Sequence, residues 1–261
     1  MTCLFLLCSC TENSLPQDDL GSFYTAKDTG QDLLAMLEYP KVEGFVFEIE
    51  EPYVVLAGLT REITVQNPDP GEPLPHVSVS VFDMAQTLLA ETESDDSGAY
   101  VLAFHLSNPH VDGYVEARKE GFLTVRQFDR PISESWTNMR LRLVKEDSLL
   151  SLSFAVLQQD EALGYVQGSI YDKFSEQPVA GVRIVASSGE VAYLSDSLSL
   201  PDKNLHETQS RGVFFVANCN PGPLTIQAFI GSDKIMERSV LTWPGRVITQ
   251  VGLPIVQGEK P

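Results

Sequence analysis

Four histidines are the first residues to consider for chemistry, because imidazole can bind a metal or transfer a proton near neutral pH. They are His76, His105, His110 and His206. None has the His-x-x-Glu or His-x-x-x-His spacing that brings two ligands together on one element. His105 and His110 could meet across the turn at 107–109, but a solvated loop position is more common for such histidines. The sequence therefore predicts no metal site and no other cofactor.

The local signatures of common catalytic sites are also missing from the sequence. It contains no Gly-x-Ser-x-Gly elbow, no Gly-x-x-x-x-Gly-Lys phosphate loop and no Gly-x-Gly-x-x-Gly fingerprint. Glu93, Asp95 and Asp96 could offer carboxylate oxygens to calcium, but the full alternating set of loop ligands is missing. A solvated β-turn is the preferred interpretation of these acids. We expect a protein that is not an enzyme.

Trp136 is the residue that most resembles a ligand contact, since it lies in the polar stretch 133–138. An indole ring in such a stretch can stack on a sugar face while its neighbours bind the hydroxyls. Packing of the ring over the end of a β-sandwich is the alternative. Trp243 follows a predicted strand and can cap the core in the same way.

The overall charge limits the possible partners. The 261 residues hold 36 acids against 18 Lys and Arg, a net charge of −18, and residues 11–72 hold thirteen acids and three bases. A surface this acidic repels phosphate backbones and anionic headgroups, so we expect no nucleic acid partner. A 43% hydrophobic content is typical of a folded globular chain. No run approaches the roughly 20 apolar residues of a spanning helix.

The first ten residues contain a targeting pattern. An apolar run ends in Leu7-Cys8-Ser9-Cys10 and is followed by a polar segment. This resembles the end of a bacterial lipoprotein signal peptide, and the resemblance implies a lipid on Cys10, which would become the mature N-terminus. The basic segment that opens such peptides is missing before the run, which favours a longer precursor. The alternative is a frayed apolar tail with chance cysteines.

Cysteine usage agrees with a lipidated N-terminus. Processing would remove Cys3 and Cys8, acylate Cys10 and leave Cys219 as the thiol of the folded part. A disulfide framework is then impossible. Cys219 continues an alternating apolar run that begins at Val213, which predicts a small buried side chain rather than a reactive one.

The rest of the chain has a residue pattern that predicts β-strands. Period-two alternation at Val77, Val79 and Val81 recurs along the sequence, with turn signals such as Asp95–Gly98 at short intervals. This is typical of half-buried antiparallel strands, and therefore of a sandwich rather than alternating strands and helices.

The fold class that follows is all-β, with two tandem prealbumin-like or Ig-like antiparallel β-sandwich domains and a short helical linker. The predicted organisation is a signal peptide remnant at 1–10, an acidic arm at 11–47 with a helix near 31–37, and sandwiches at 48–146 and 163–257. A helical linker is predicted at 147–162, with a buried strand as the alternative.

The two halves contain an internal repeat. Pro73 to Val77 aligns with Pro178 to Val182, and Thr92 through Gly98 to Tyr100 aligns with Thr208 through Gly212 to Phe214. Val77 to Gly98 spans 21 residues and Val182 to Gly212 spans 30. The second copy therefore carries nine extra residues near 194–204, where we expect specialised function.

These landmarks resemble the carboxypeptidase regulatory-like, or transthyretin-like, repeat. In that family a Pro-apolar step enters one strand, and a Thr-Asp-x-x-Gly-x-Tyr/Phe turn enters a later one. The first copy fits with two extra residues between Thr92 and Gly98. The family implies a seven-stranded accessory sandwich with a binding or spacing role, and it implies no chemistry.

The sequence therefore predicts a non-catalytic lipoprotein of the bacterial cell envelope, in the outer membrane, with a structural, adhesion or protein-binding role. Its expected partners are the membrane, through the lipid on Cys10, and envelope proteins or glycans. The alternative is a carbohydrate-binding envelope lipoprotein that uses Trp136 and the loop at 194–204.

Overall fold

A computed structural model describes residues 53–64, 71–106, 111–128, 131–132, 135–148, 152–197 and 200–256. Cys10, the helix predicted near 31–37 and His110 lie outside these ranges. Residues Ile49–Pro261 form one compact unit. The bounds of the two predicted domains and of their linker therefore remain predictions.

Within the described ranges the chain is all-β apart from one short helix, α1, at Leu152–Leu157. This helix lies inside the predicted linker. The strands are β1 (Tyr53–Glu62), β2 (Glu72–Pro73), β3 (Ser78–Asp83), β4 (Leu88–Glu93), β5 (Ala99–His105), β6 (Gly113–Arg118), β7 (Thr124–Phe128), β8 (Trp136–Leu143), β9 (Gly164–Asp172), β10 (Arg183–Ala186), β11 (Glu190–Leu194), β12 (Pro201–Asp202), β13 (Val213–Cys219), β14 (Gly222–Ile230), β15 (Asp233–Thr242) and β16 (Val247–Ile255).

The first half of this unit is a sandwich of two layers. In one layer β1 pairs with β2, β5 and β8, and in the other the order is β4-β3-β6-β7. Alternating side chains point inward from both layers, among them Val54 and Leu56 of β1, Val79 of β3 and Leu141 of β8. They form the first core, because period-two apolar positions share one face of a strand.

The second half repeats this arrangement and adds the helix. The layer β12-β11-β13-β9-β16 faces the layer β10-β14-β15, and Val166, Phe214 and Ile226 are buried in the second core between them. Side chains on the opposite face of the first layer pack under α1, where Leu157 is fully buried. The Phe154 and Tyr165 rings lie 4.5 Å apart there.

The two halves share one sheet. Strand β16 pairs with β9 on one edge and with β7 on the other, and this joins the layers into a nine-stranded sheet of order β12-β11-β13-β9-β16-β7-β6-β3-β4. At this joint, one face of the sheet lines the first core and the opposite face lines the second core. Val125 of β7 belongs to the first core, whereas the rings of Phe128 and Tyr114 belong to the second.

The expectation of purely antiparallel sheets is wrong for three pairings. β1 with β8, β16 with β9 and β16 with β7 are parallel. Strand β16 has the sequence of a strand covered on both faces, since only Val247, Gln250 and Pro254 are not fully buried. Alternation in the flanking strands gave no sign of strand direction.

Matching backbone hydrogen bonds confirm the internal repeat. The Thr60 N–H donates to the Gly98 carbonyl oxygen at 2.7 Å, and the Ile170 N–H donates to that of Gly212 at 2.8 Å. The Leu74 N–H donates to the Thr60 carbonyl oxygen, and the Val179 N–H donates to the Ile170 carbonyl oxygen, both at 3.0 Å. Each half therefore closes its first strand on the same two loops.

A buried hydroxyl completes the unit in each half. The Ser94 Oγ accepts from the Val77 N–H at 3.0 Å and donates to the Leu74 carbonyl at 3.2 Å. The Thr208 Oγ1 accepts from Val182 at 3.0 Å and donates to Val179 at 2.9 Å. Because both hydroxyls are buried, they satisfy backbone groups that water does not reach.

This geometry corrects one step of the sequence alignment. The residue equivalent to Thr208 is Ser94, whereas Thr92 lies in β4 opposite Val79. Ser94 to Tyr100 then matches Thr208 to Phe214 without any insertion. The pattern was missed because serine replaces threonine at the position that supplies the hydroxyl.

The halves differ at the strand after the first hairpin. β4 pairs with β3, but β11 pairs with β13 and β12 in the other layer. The Tyr193 hydroxyl of β11 accepts the Ile184 N–H of β10 at 2.8 Å instead. The extra residues near 194–204 supply β12, which extends the edge of the nine-stranded sheet.

Replacing either buried hydroxyl should destabilise the protein to a similar extent. Ser94→Ala leaves the buried Val77 N–H without its acceptor, while the Leu74 carbonyl keeps its bond from the Thr60 hydroxyl. Thr208→Val leaves the Val182 N–H and the Val179 carbonyl without their partner. We expect each to lower the free energy of unfolding by about 1 to 3 kcal/mol. Urea denaturation measures this. Ser94→Thr and Thr208→Ser keep the hydroxyl and are the matched controls. A loss in the controls equal to that in the deletions would contradict the assigned role.

A candidate site at the joint between the halves

The joint places a cluster of charged and aromatic side chains on one face of β6 and β7. Across these strands Glu116 pairs with Arg126, and the next position along this face carries Tyr114 on β6 and Phe128 on β7. On the neighbouring strand β16, Thr249 lies opposite Arg126 of β7, and Val251 lies opposite Phe128 of β7. The cluster therefore lies where the outer face of the first sandwich continues into the second core.

Glu116 is a buried carboxylate held by two arginines. Its side chain is only 4% exposed, and its Oε2 lies 2.5 Å from the Arg126 Nε and its Oε1 2.7 Å from the Arg118 Nε. Arg126 is itself only 11% exposed, while Arg118 reaches solvent. A buried carboxylate is tolerated only when it is paired and hydrogen-bonded, so Glu116 depends on these neighbours.

The Trp243 ring from the second half covers the Arg126 guanidinium. The Cζ of Arg126 lies 3.8 Å from the indole centroid and 5.7 Å from that of Tyr114. The Arg126 Nη1 is buried without a hydrogen-bond acceptor among the described residues. The π faces offset part of this cost, because a desolvated cation is attracted to an aromatic quadrupole.

Aromatic contacts extend from Trp243 in both directions. Ring centroids lie 5.1 Å apart for Tyr114 and Trp243, 5.0 Å for Tyr114 and Phe128, and 5.3 Å for Phe82 and Tyr114. The Trp243 Nε1 donates to the Gln86 Oε1 at 3.3 Å. Burial raises the pKa of the Tyr114 hydroxyl, an effect that the positive charge of Arg126 partly opposes.

These groups contact one another across the joint between the halves. The Arg126 cation is engaged by Glu116, the Trp243 indole N–H is engaged by Gln86, and the raised pKa of Tyr114 keeps its hydroxyl protonated near neutral pH. No group of three or more His, Cys, Asp or Glu side chains in the described ranges could hold a metal ion. We therefore treat the cluster as a mechanical joint.

The described histidines lie on the surface. The His76 Nδ1 lies 2.9 Å from a Glu93 carboxylate oxygen and its Nε2 lies 3.3 Å from one of Asp96, with the imidazole 60% exposed. His105 ends β5, and His206 lies in the turn after β12; both are exposed. These positions are distant in sequence and the structure does not combine the three imidazoles into one site.

The acids considered for calcium serve a turn. The Asp95 Oδ1 accepts hydrogen bonds from the Ser97 N–H at 2.8 Å, the Ser97 hydroxyl at 2.7 Å and the Ala99 N–H at 2.9 Å. These bonds, that of the Ser97 hydroxyl first, lower the pKa of Asp95. The geometry confirms the predicted β-turn at Asp95–Gly98.

The remaining residues singled out in the sequence lie in or beside the cores. Trp136 is the first residue of β8 and packs, partly buried, against the first core. Cys219 is buried as predicted, and burial raises the pKa of its thiol to about 12. Its Sγ donates to the Val216 carbonyl at 3.3 Å. A thiol protonated at neutral pH is a poor nucleophile.

Sequence reasoning missed the joint. Arg126 and Glu116 stand in strands as ordinary outward-facing charges, and Trp243 and Gln86 are 157 residues apart. The only available signal was charge alternating with apolar residues in β6 and β7. No pattern in one sequence indicates that a strand from the other half will cover that face.

Comparisons with known proteins leave the family open. The sequence matches no protein-family model, and no curated protein matches it. Similar solved structures include the Bacillus anthracis TIE protein, at 9% identity over 78% of this chain and 35% of that chain, with a TM-score of 0.24. The chain thus spans about a third of the TIE chain.

Two pilins are similar to a comparable degree. Shaft pilin SpaA from Lactobacillus rhamnosus GG matches at 9% identity, 80% of this chain, 100% of that chain and a TM-score of 0.26. BcpA, the major pilin subunit of Bacillus cereus, matches at 6% identity over 79% of this chain and 100% of that chain, with a TM-score of 0.24. Values this low establish neither a shared fold nor a shared function.

Removing the Arg126 guanidinium at the joint should destabilise the folded protein. Arg126→Met leaves Glu116 buried beside the more exposed Arg118, and we expect the free energy of unfolding to fall by about 3 kcal/mol, as for other half-broken buried ion pairs. Glu116→Gln combined with Arg126→Met leaves neither charge buried and should cost less. Urea denaturation of the double-mutant cycle measures the coupling.

Arg118→Ala is the matched control, because Arg118 is 56% exposed and its pairing is screened by solvent. It should cost less than about 1 kcal/mol. An equal loss in Arg118→Ala and Arg126→Met would show that burial at the joint is not what makes Arg126 important.

Proposed function

We propose that this protein is a non-catalytic structural module of the bacterial cell envelope, in which two repeats act as one rigid spacer. The observation that carries this proposal is the pairing of β7 with β16, which makes one nine-stranded sheet of both halves. Repeats joined only by a linker would bend at that linker. A shared sheet opposes bending, because its backbone hydrogen bonds would have to break.

The side chains support the same role. The Trp243 ring lies over Arg126 and beside Tyr114, so a residue of the second half covers two of the first. The segment between the halves is also anchored, since the Asp160 N–H donates to the Asn218 Oδ1 at 2.8 Å and the Asn218 N–H to the Gln159 Oε1 at 2.9 Å. Contacts that fix the two halves to each other suit a spacer, because a spacer must keep a constant distance between the groups at its two ends.

The location in the envelope rests on the N-terminal sequence. We propose that Cys10 is acylated and that the outer membrane holds the protein by this lipid. No helix in the described residues is long and apolar enough to span a membrane. The partners that fit a surface spacer are envelope proteins, and no nucleic acid partner is proposed, given the net charge of −18.

Glycan binding is the alternative role. The Trp136 ring is partly exposed at the start of β8, between exposed Ser135 and Thr137. An indole with neighbouring hydroxyls could stack on a sugar and bind its hydroxyl groups. Retention on immobilised peptidoglycan fragments that is lost in Trp136→Ala would favour this role over the spacer.

A rigid spacer should unfold as one unit. We expect a single calorimetric transition whose van't Hoff and calorimetric enthalpies agree, because unfolding either half exposes the face of β7 or β16 that the other half covers. Arg126→Met should lower the transition temperature without dividing the transition. Two resolved transitions in the wild-type protein would contradict the rigid-spacer proposal.

Lipidation should depend on one cysteine. Expressed from its native upstream region, the wild-type protein should partition with membranes and show a lipid-sized gain in intact mass, because Cys10 is the expected acylated thiol. Cys10→Ser should lose both properties, and Cys8→Ser should keep them. An unmodified soluble wild-type protein would remove the anchor from the proposal.

A further inference from the structure

The joint inside the chain uses two strands that each have an equivalent at the far end of the other half. β7 is the last strand of the layer β4-β3-β6-β7, and β15 is the last strand of the matching layer β10-β14-β15. β16 lies beside β9 as β8 lies beside β1. In the described ranges, no strand pairs with the outer edge of β8 or of β15.

Residue equivalences follow from the shared hydrogen bonds. Because Val77 and Val182 correspond, so do Val79 and Ile184, and their partners across the sheet are Ala117 and Ala228. The next partners are Val125 of β7 and Met236 of β15. Arg126 therefore corresponds to Glu237.

The other side of the joint is matched in the same way. Thr60 and Ile170 correspond, and their parallel partners are Leu141 of β8 and Leu253 of β16. Leu56 and Val166 also correspond, four residues earlier on β1 and β9. Their parallel partners are Trp136 and Thr249, because β8 has a bulge between Trp136 and Met139. Thr249 lies opposite Arg126 inside the chain, so the same joint made between chains would bring Trp136 opposite Glu237.

We propose that β8 of a second copy of this chain pairs in parallel with β15 and repeats the internal joint between molecules. This inference names a partner for the spacer proposed above and rests on that role. The two surfaces differ, so the contact is heterologous, and its repetition gives an open head-to-tail chain rather than a closed dimer. Backbone hydrogen bonding along sheet edges supplies the attraction.

The outer joint should be weaker than the inner one. By the same equivalences, Thr225 and Ser239 stand where Tyr114 and Phe128 stack, and the exposed Glu237 stands where Arg126 is buried. The Glu237 Oε2 accepts hydrogen bonds from Lys234 at 2.9 Å and from Gln227 at 2.8 Å. Without an aromatic cluster, association should be reversible and dependent on concentration.

Cross-linking tests the register directly. In full-length chains whose Cys3, Cys8 and Cys10 are replaced by serine, Trp136→Cys and Glu237→Cys are placed on separate molecules and mixed under mild oxidation. A disulfide requires Cα atoms within about 7 Å. We expect cross-linked dimers in the mixture, at least about tenfold more than when Ile230→Cys replaces Glu237→Cys. Ile230 is exposed at the end of β14, so it does not lie on the β15 edge.

Sedimentation velocity over a range of concentrations tests assembly without cysteines. We expect species that grow beyond dimers in the wild type, and a loss of these species in Ser239→Lys, which places a charge at an exposed position on the β15 edge. Ile230→Lys is the control and should assemble like the wild type. Each variant is checked for one wild-type-like unfolding transition, so that misfolding is not mistaken for lost assembly.

Three outcomes would overturn the inference. They are a wild type that stays monomeric at every concentration, cross-links between two Trp136→Cys molecules without the partner variant, and assembly in Ser239→Lys equal to that of the wild type. If monomers persist while the wild type still unfolds in one transition, self-association fails and the rigid spacer stands. Two unfolding transitions would instead count against the spacer itself.

Discussion

The parallel pairing of β16 with β7 is the interaction on which the rest of the structure depends. Five successive residue pairs, from Val247 with Thr124 to Val251 with Phe128, place a strand of the second half inside a sheet of the first. This pairing covers the edge of β16 that β9 leaves open, and it brings Phe128 and Tyr114 into the second core. Without it, the face around Glu116 would be an outer surface, and a carboxylate there would not need two arginines.

The repeated unit shows which parts of such a sandwich are constrained and which are open to change. The buried hydroxyls of Ser94 and Thr208, and the bonds that close β1 and β9, occur in both halves because the backbone groups they satisfy have no access to water. The strand that follows is free to pair in either layer. When β11 joins β13, the Tyr193 hydroxyl takes over one amide of β10, so a side chain replaces part of a strand pairing.

Local patterns predicted local structure well. Alternation at Val77 to Val81 gave β3, the Asp95 turn was recognised from its residue types, and the phase of Cys219 predicted its burial. Parallel pairing and the joint were not predictable, because they depend on contacts between residues far apart in sequence, such as Arg126 and Trp243. Trp136 drew attention as an aromatic in a polar stretch, and it lies at the first residue of a strand.

The position of β16 has a mechanical consequence. It is flanked on both edges by parallel neighbours, β9 and β7, over the same residues Ile248 to Val251. Tension applied along this strand would load the hydrogen bonds to both neighbours in shear at the same time, whereas the antiparallel hairpin of β14 and β15 can open from the end opposite its turn, one pair after another. A force transmitted through β16 is therefore divided between the two halves of the molecule.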